Sequence, residues 1–210
     1  MLREVCVENF TNVPELIAKG ASRIELCDNL SVGGTSVSHG VAEVTINYCH
    51  SKNIKVMAMI RPRGGNFIYR KEEVEIMKRD LVHLKQLGTD GVVLGCLNDN
   101  GWIDEEAMKT LLHLAEGLEV TFHMAFDHIR PENQFKAIDW LVKHGVNRIL
   151  THGGPLHTKI EANLVRLKEY INYANGRIKI LPGGGITNKN LSLITSELQI
   201  DEVHGTKIVE

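Results

Sequence analysis

The sequence predicts a single-domain α/β protein, a TIM-like (β/α)8 barrel lacking a full eighth helix. Three observations carry this. Eight short β-like runs alternate with helical patterns from one end of the 210 residues to the other, the pattern of a parallel sheet wrapped by helices. No G-x-G-x-x-G follows the first run, which weighs against the competing doubly wound open sheet. No linker, charge block or low-complexity segment divides the chain, so residues 1–210 read as one barrel domain.

The strands are read at Leu2–Val7, Arg23–Cys27, Lys55–Pro62, Gly91–Leu97, Glu119–Phe126, Arg148–Thr151, Lys179–Pro182 and Asp201–Thr206. Each is short and rich in aliphatic residues. Helical spacing appears in Val13–Gly20 (Leu16, Ile17), Lys71–Gly88 (Val74, Met77, Leu81, Leu84), Asp104–Gly117 (Met108, Leu111, Leu112), Gln134–Gly145 (Ile138, Leu141, Val142) and Ile160–Asn175 (Leu164, Leu167, Ile171). Gly20, Gly88, Gly117, Gly145 and Gly176 stand where these helices should stop, since glycine accepts the left-handed conformation that ends a helix. Glu210 follows the eighth strand almost at once. The outer faces of the first and last strands are therefore expected to lie partly bare, which predicts a homo-oligomer.

Composition narrows the function classes. The chain is 43% hydrophobic with a net charge of −2, so neither nucleic acid nor an anionic membrane is an expected partner. No run approaches the ~18 apolar residues that span a bilayer. The first residues, Met1-Leu2-Arg3-Glu4-Val5, read as a strand and not as a targeting peptide. Four cysteines, Cys6, Cys27, Cys49 and Cys96, form no C-x-x-C pair. That speaks for reduced thiols and a cytoplasmic location, and against a structural zinc site.

Alternation sorts the barrel interior. Val5, Val7, Ile24 and Leu26 face the helices, leaving Glu4, Cys6, Glu25 and Cys27 inside. In the fifth strand Val120, Phe122, Met124 and Phe126 face out, leaving Thr121, His123, Ala125 and Asp127 inside. In the eighth, His204 and Thr206 face in. Arg61 and Arg63 leave the end of the third strand on one side. Guanidiniums keep their charge, so the pair needs anions, either a bound ligand or the carboxylates of Glu25 and Asp127. Pro182-Gly183-Gly184-Gly185-Ile186 follows the seventh strand. Loops after strands seven and eight of such barrels often hold a phosphate, although three glycines also serve simply to turn the chain.

Several of these segments together closely resemble the CutC family: Glu4-Val5-Cys6-Val7, Arg23-Ile24-Glu25-Leu26-Cys27, Gly33-Gly34-Thr35, Ile60-Arg61-Pro62-Arg63-Gly64-Gly65, Thr121-Phe122-His123, Ala125-Phe126-Asp127 and Pro182-Gly183-Gly184-Gly185-Ile186. The resemblance runs from the first strand to the last. It implies a cytoplasmic TIM-like barrel acting in copper homeostasis, with monovalent copper bound through Cys6 and Cys27. Three departures stand out: Met124 and His152 occupy positions where the family commonly has arginine and serine, and Ser36-Val37 stands where it usually has threonine and proline.

Two functions follow. In the first, Cys6 and Cys27 hold copper(I), for which thiolates are suited ligands. In the second, the barrel mouth is the site of a lyase, isomerase or hydrolase for a small anionic, possibly phosphorylated, metabolite. There Arg61, Arg63, His204 and the turn Gly183-Gly184-Gly185 would bind the substrate, and Glu25, His123 or Asp127 would transfer a proton. Apart from copper(I), no cofactor is expected.

Overall fold

A computed structural model describes residues 1–210. Eight parallel strands form one curved sheet: β1 (Leu2–Glu8), β2 (Arg23–Cys27), β3 (Lys55–Met59), β4 (Gly91–Leu94), β5 (Glu119–Phe122), β6 (Arg148–Thr151), β7 (Lys179–Pro182) and β8 (Glu202–Gly205). Their order, β7-β6-β5-β4-β3-β2-β1-β8, brings the last strand beside the first. β7 and β8 do not pair along their length, and the isolated bridge Thr187–Lys207 crosses the seam above them. The protein is thus a nearly closed TIM-like barrel. Seven helices lie outside it: α1 (Val13–Ala18), α2 (His39–Ser51), α3 (Lys71–Gln86), α4 (Glu105–Leu114), α5 (Gln134–Lys143), α6 (Leu164–Ala174) and α7 (Leu191–Leu198). No helix is long and apolar enough to cross a membrane.

The expected strands are all present, but β3, β4 and β5 stop early. Ile60 still donates to the Val93 carbonyl, yet the next amide, Arg61, donates to the Ser36 hydroxyl of a loop. Pro62 then has no N–H to offer. β5 ends as His123 turns its Nδ1 to accept from the Ala125 amide, 3.2 Å away, and Met124–His128 winds into a 3-10 helix. Alternation therefore ceases to assign faces beyond Met59 and Phe122. α2 and α7 were not predicted as defined helices. α2 buries Ala42, Thr45, Ile46 and Cys49 at helical spacing, but a polar threonine and an N-terminal His-Gly dilute that signal.

The apolar shell between sheet and helices contains Val5, Ile24, Leu26, Val56, Ala58, Phe122 and Val203, all fully buried. The expectation of bare faces on the first and last strands is corrected. Val5 and Val203 are sealed, and the chain after β8 folds back so that Ile208 and Val209 are also buried in this core. The strip an eighth helix would cover is filled by the chain's own last residues, which removes the argument for self-association from exposed strands.

Candidate functional site at the barrel mouth

The barrel interior has three levels. At the N-terminal end of the strands lies a belt of ion pairs. Arg23 contacts Glu4 and donates to Glu202 at 2.8 Å. Arg148 also reaches Glu202 at 2.8 Å and lies 2.6 Å from Glu119, which Lys55 contacts at 2.6 Å. Burial alone would raise the Glu4 pKa, but the hydrogen bond from His204 and the charge of Arg23 hold it at about 2.

One step up are the thiols. Register places Cys6 opposite Glu25 and Glu8 opposite Cys27, so the two cysteines are diagonal neighbours on the inner face. Their sulfurs lie 3.8 Å apart. Met57, Met59 and Val93 pack around them. Gly34 allows this: it has φ +87°, and a Cβ there would come within 3.1 Å of the Cys27 Sγ. Glu25 sits beside the pair, accepting from the Cys27 thiol at 3.6 Å, and the sulfurs and a Glu25 carboxylate oxygen all fall within 4.8 Å of one another. His204 joins the levels, with Nδ1 2.9 Å from Glu4 and Nε2 3.6 Å from Glu25. The hydrogen bond with Cys27 and burial push the Cys6 thiol well above its ordinary range. Cys27 is pushed to about 11: its bond with Cys6 lowers it, but burial and the Glu25 charge outweigh that. Burial raises Glu25. Burial opposes a charge on His204, yet Glu25, the Cys6 thiol and Glu4 hold its pKa well above the usual value.

Above the thiols opens a cavity of about 230 Å³, at the C-terminal ends of the strands. Cys6, Glu25, Arg61, His123, His204 and the turn Gly184–Gly185 line it, with Gly33, Met59, Phe67, Met124 and Thr206. Arg61 is 3% exposed and no carboxylate contacts it. Its Nη1 donates to the carbonyls of Val32 and Gly34 at 2.8 Å, its Nη2 to that of Gly65 at 2.9 Å, and Phe67 covers the guanidinium 4.9 Å from its ring centre. Nε has no partner. His123 is 4% exposed, and because its Nδ1 accepts from the Ala125 amide, the Nε2 of the neutral ring carries the hydrogen, which meets no acceptor. Burial and the nearby Arg61 charge depress its pKa to about 3, so the ring is neutral.

Of the residues expected at the site, Cys6, Glu25, Arg61, His123, Gly184, Gly185 and His204 line the cavity, and Cys27 lies behind Cys6, fully buried. Three expectations are corrected. Arg63 does not stand beside Arg61. With β3 ended, it swings to α3, pairs with Glu73 and donates to the carbonyls of Gly64, Asn66 and Ile68. Asp127 does not share the mouth. The 3-10 turn carries it to the outer ends of β5 and β6, where it accepts from the Thr151 hydroxyl and the His152 and Gly153 amides. Gly183 is not part of the cavity lining: its amide donates to the Thr151 carbonyl and its own carbonyl lies 3.2 Å from the His152 ring. Neither Glu25 nor Asp127 neutralises an arginine. Met124, expected to face the helices, lines the cavity for the same reason that Asp127 leaves it. Gly33, Met59 and Phe67 were missed. Met59 could have been placed by the alternation of β3, whereas the two loop residues carry no periodic signal.

Comparison with known proteins agrees with this architecture. The model of the CutC family matches residues 1–209. A family protein CutC from Enterococcus faecalis is 58% identical over 209 residues, all of both chains. The human copper homeostasis protein cutC homolog is 41% identical over 203 residues, 97% of this chain and 72% of that one. The crystal structure of the CutC protein of Streptococcus agalactiae superposes with a TM-score of 0.96 at 46% identity, covering 99% of each chain. A deoxyribose phosphate aldolase from Aeropyrum pernix shares the fold at a TM-score of 0.70 and 11% identity, over 99% of this chain and 87% of that one.

Proposed function

The chain belongs to the CutC family, and from that premise we propose that it acts in copper homeostasis by holding monovalent copper between Cys6 and Cys27. The observation that supports this most is the pair of inward-facing sulfurs 3.8 Å apart. The donor chemistry fits the ion: soft thiolates select copper(I), and the thioethers of Met57 and Met59 belong to the same cluster. Cys6 lines the cavity and gives the ion a way in, while fully buried Cys27 limits access of oxidants. Both thiol pKa values are raised, so binding displaces protons. Titration with copper(I) under reducing conditions, against a competing chelator, tests the reading. One equivalent should bind to the native chain, and the Cys6→Ser/Cys27→Ser variant should lose at least about 100-fold in affinity. Unchanged stoichiometric binding by that variant would overturn it.

A second reading, an enzyme acting on a small anionic metabolite, is favoured by one specific observation. Arg61 is buried at the cavity wall with no countercharge from the protein. A buried, unpaired charge costs several kcal/mol, and an anion entering the cavity would offset that cost. Screening anionic metabolites by thermal shift tests it, and a complete absence of stabilisation would count against it.

A further inference from the structure

The unpartnered donors of the cavity lie in two sets. Arg61 and the Nε2–H of His123 form the first, each at least nine-tenths buried. The second is the turn after β7, where the backbone N–H groups of Gly184 and Gly185 donate to no protein acceptor. Their φ values of +80° and +102° present the amides in a conformation that residues with a Cβ rarely adopt. Successive free amides at such a turn make a concavity suited to phosphate oxygens, and Thr206 from the end of β8 lines the same cavity. The first set differs in kind: a full positive charge beside a neutral imidazole donor, covered by the Phe67 ring. A planar carboxylate suits it.

We propose that the cavity binds a small phosphate ester bearing a carboxylate, with the phosphate on the Gly184–Gly185 turn and the carboxylate at Arg61 and His123. This rests on the second reading above and names the substrate class that reading leaves open. Size sets the limit. A cavity of about 230 Å³, below the roughly 300–1,000 Å³ common for ligand pockets, suits a compact metabolite. Glu25 is the only carboxylate lining the cavity; one of its oxygens faces His204 and the Cys27 thiol, and the other has no partner. A second cavity with charged lining, about 400 Å³ beside Asp127 and Arg166, offers no such vacancy. There Asp127 accepts three hydrogen bonds, and Arg166 is held by Glu169, Tyr170, Gln134 and the Pro131 carbonyl.

The test is calorimetric titration of the intact chain with phosphoglycolate, inorganic phosphate and glycolate. Phosphoglycolate should bind at least about tenfold more tightly than either fragment. Arg61→Met should weaken phosphoglycolate by about tenfold or more and leave inorganic phosphate within about threefold, because it removes only the carboxylate end. His123→Gln, a milder change to the same end, should act in the same direction if Arg61→Met fails to fold. If none of the three anions binds at millimolar concentration, the anion-site reading falls with the proposal. If phosphoglycolate binds no better than inorganic phosphate, or if both variants weaken the two ligands equally, the proposal alone is overturned.

Discussion

The floor and the mouth of the barrel hold similar residues and treat them in opposite ways. At the floor, Glu4, Arg23, Glu202, Arg148, Glu119 and Lys55 form an unbroken alternation of charge, each in contact with an opposite one. At the mouth, Arg61 has only carbonyl oxygens, His123 has an unused N–H, and one Glu25 oxygen has no partner. A network in which every charge already faces an opposite one leaves no charge free for a ligand. Polar groups that are buried and uncommitted are costly in the fold alone, and a ligand offsets that cost. The contrast teaches that burial of charge does not by itself mark a site; the missing partner does.

The largest effect should come from breaking the floor. Arg23→Met leaves Glu4 with His204 alone and removes one of the two arginines on Glu202. Removing one member of a buried pair typically costs about 3–5 kcal/mol, and urea denaturation should show a loss of that order. Arg61→Met at the mouth removes an unpaired charge along with three hydrogen bonds to carbonyls, and should cost about 1 kcal/mol. Equal losses from the two variants would break the contrast between floor and mouth.

Much of this contrast was legible in the sequence, and the reason it was only partly so is geometric. Within the paired strands, alternation placed Glu4, Cys6, Glu25, Cys27 and His204 inside, where they are. It works there because hydrogen bonding to both neighbours fixes the pleat. It failed two to five residues past the strand ends. Arg63 and Asp127 were assigned to the mouth by counting through Pro62 and through a 3-10 turn, where the period of two no longer applies. The floor was read from one member only: Glu4 was recognisable, but Arg23 and Arg148 begin their strands, where an arginine looks like an exposed end. Their partners are brought together by barrel closure between residues as far apart as Arg23 and Glu202, a contact with no local trace. The family motifs carried the fold and the thiols, but could not show that one of the two motif arginines is paired and the other is not.

An intermediate effect is expected from His123, and acid exposes it. Its folded pKa of about 3 lies below the unfolded value of 6.5. Between those values the unfolded chain takes up a proton that the folded chain refuses, so stability falls as the pH drops below 6.5. From pH 6.5 to 4.5 this one group should remove about 2 kcal/mol. His123→Gln lacks the group, so the stability gap between native chain and variant should narrow in the variant's favour by that amount over the window. Glu4 acts in the same direction but lower, its stabilisation fading from about pH 4.5 toward its folded pKa of about 2. Urea unfolding at pH 6.5 and pH 4.5 separates the two. A constant gap would mean that His123 titrates normally and that its Nε2 is not held neutral at the mouth.

The smallest effect should come from Arg63, and its smallness is informative. The Arg63 guanidinium is more than one-third exposed beside Glu73 on α3, and such pairs contribute about 0.2–1 kcal/mol. Glu73 also accepts from the Arg70 amide at the start of that helix, so it keeps a role when Arg63 is removed. Arg63→Ala should therefore lower stability by about 0.5 kcal/mol and leave phosphoglycolate affinity within about twofold, while Arg61→Met loses about tenfold. The two arginines are separated by one proline and share one motif. Similar losses of affinity from both would mean that the end of β3 can deliver Arg63 to the cavity after all, and that the fork at the mouth is double rather than single.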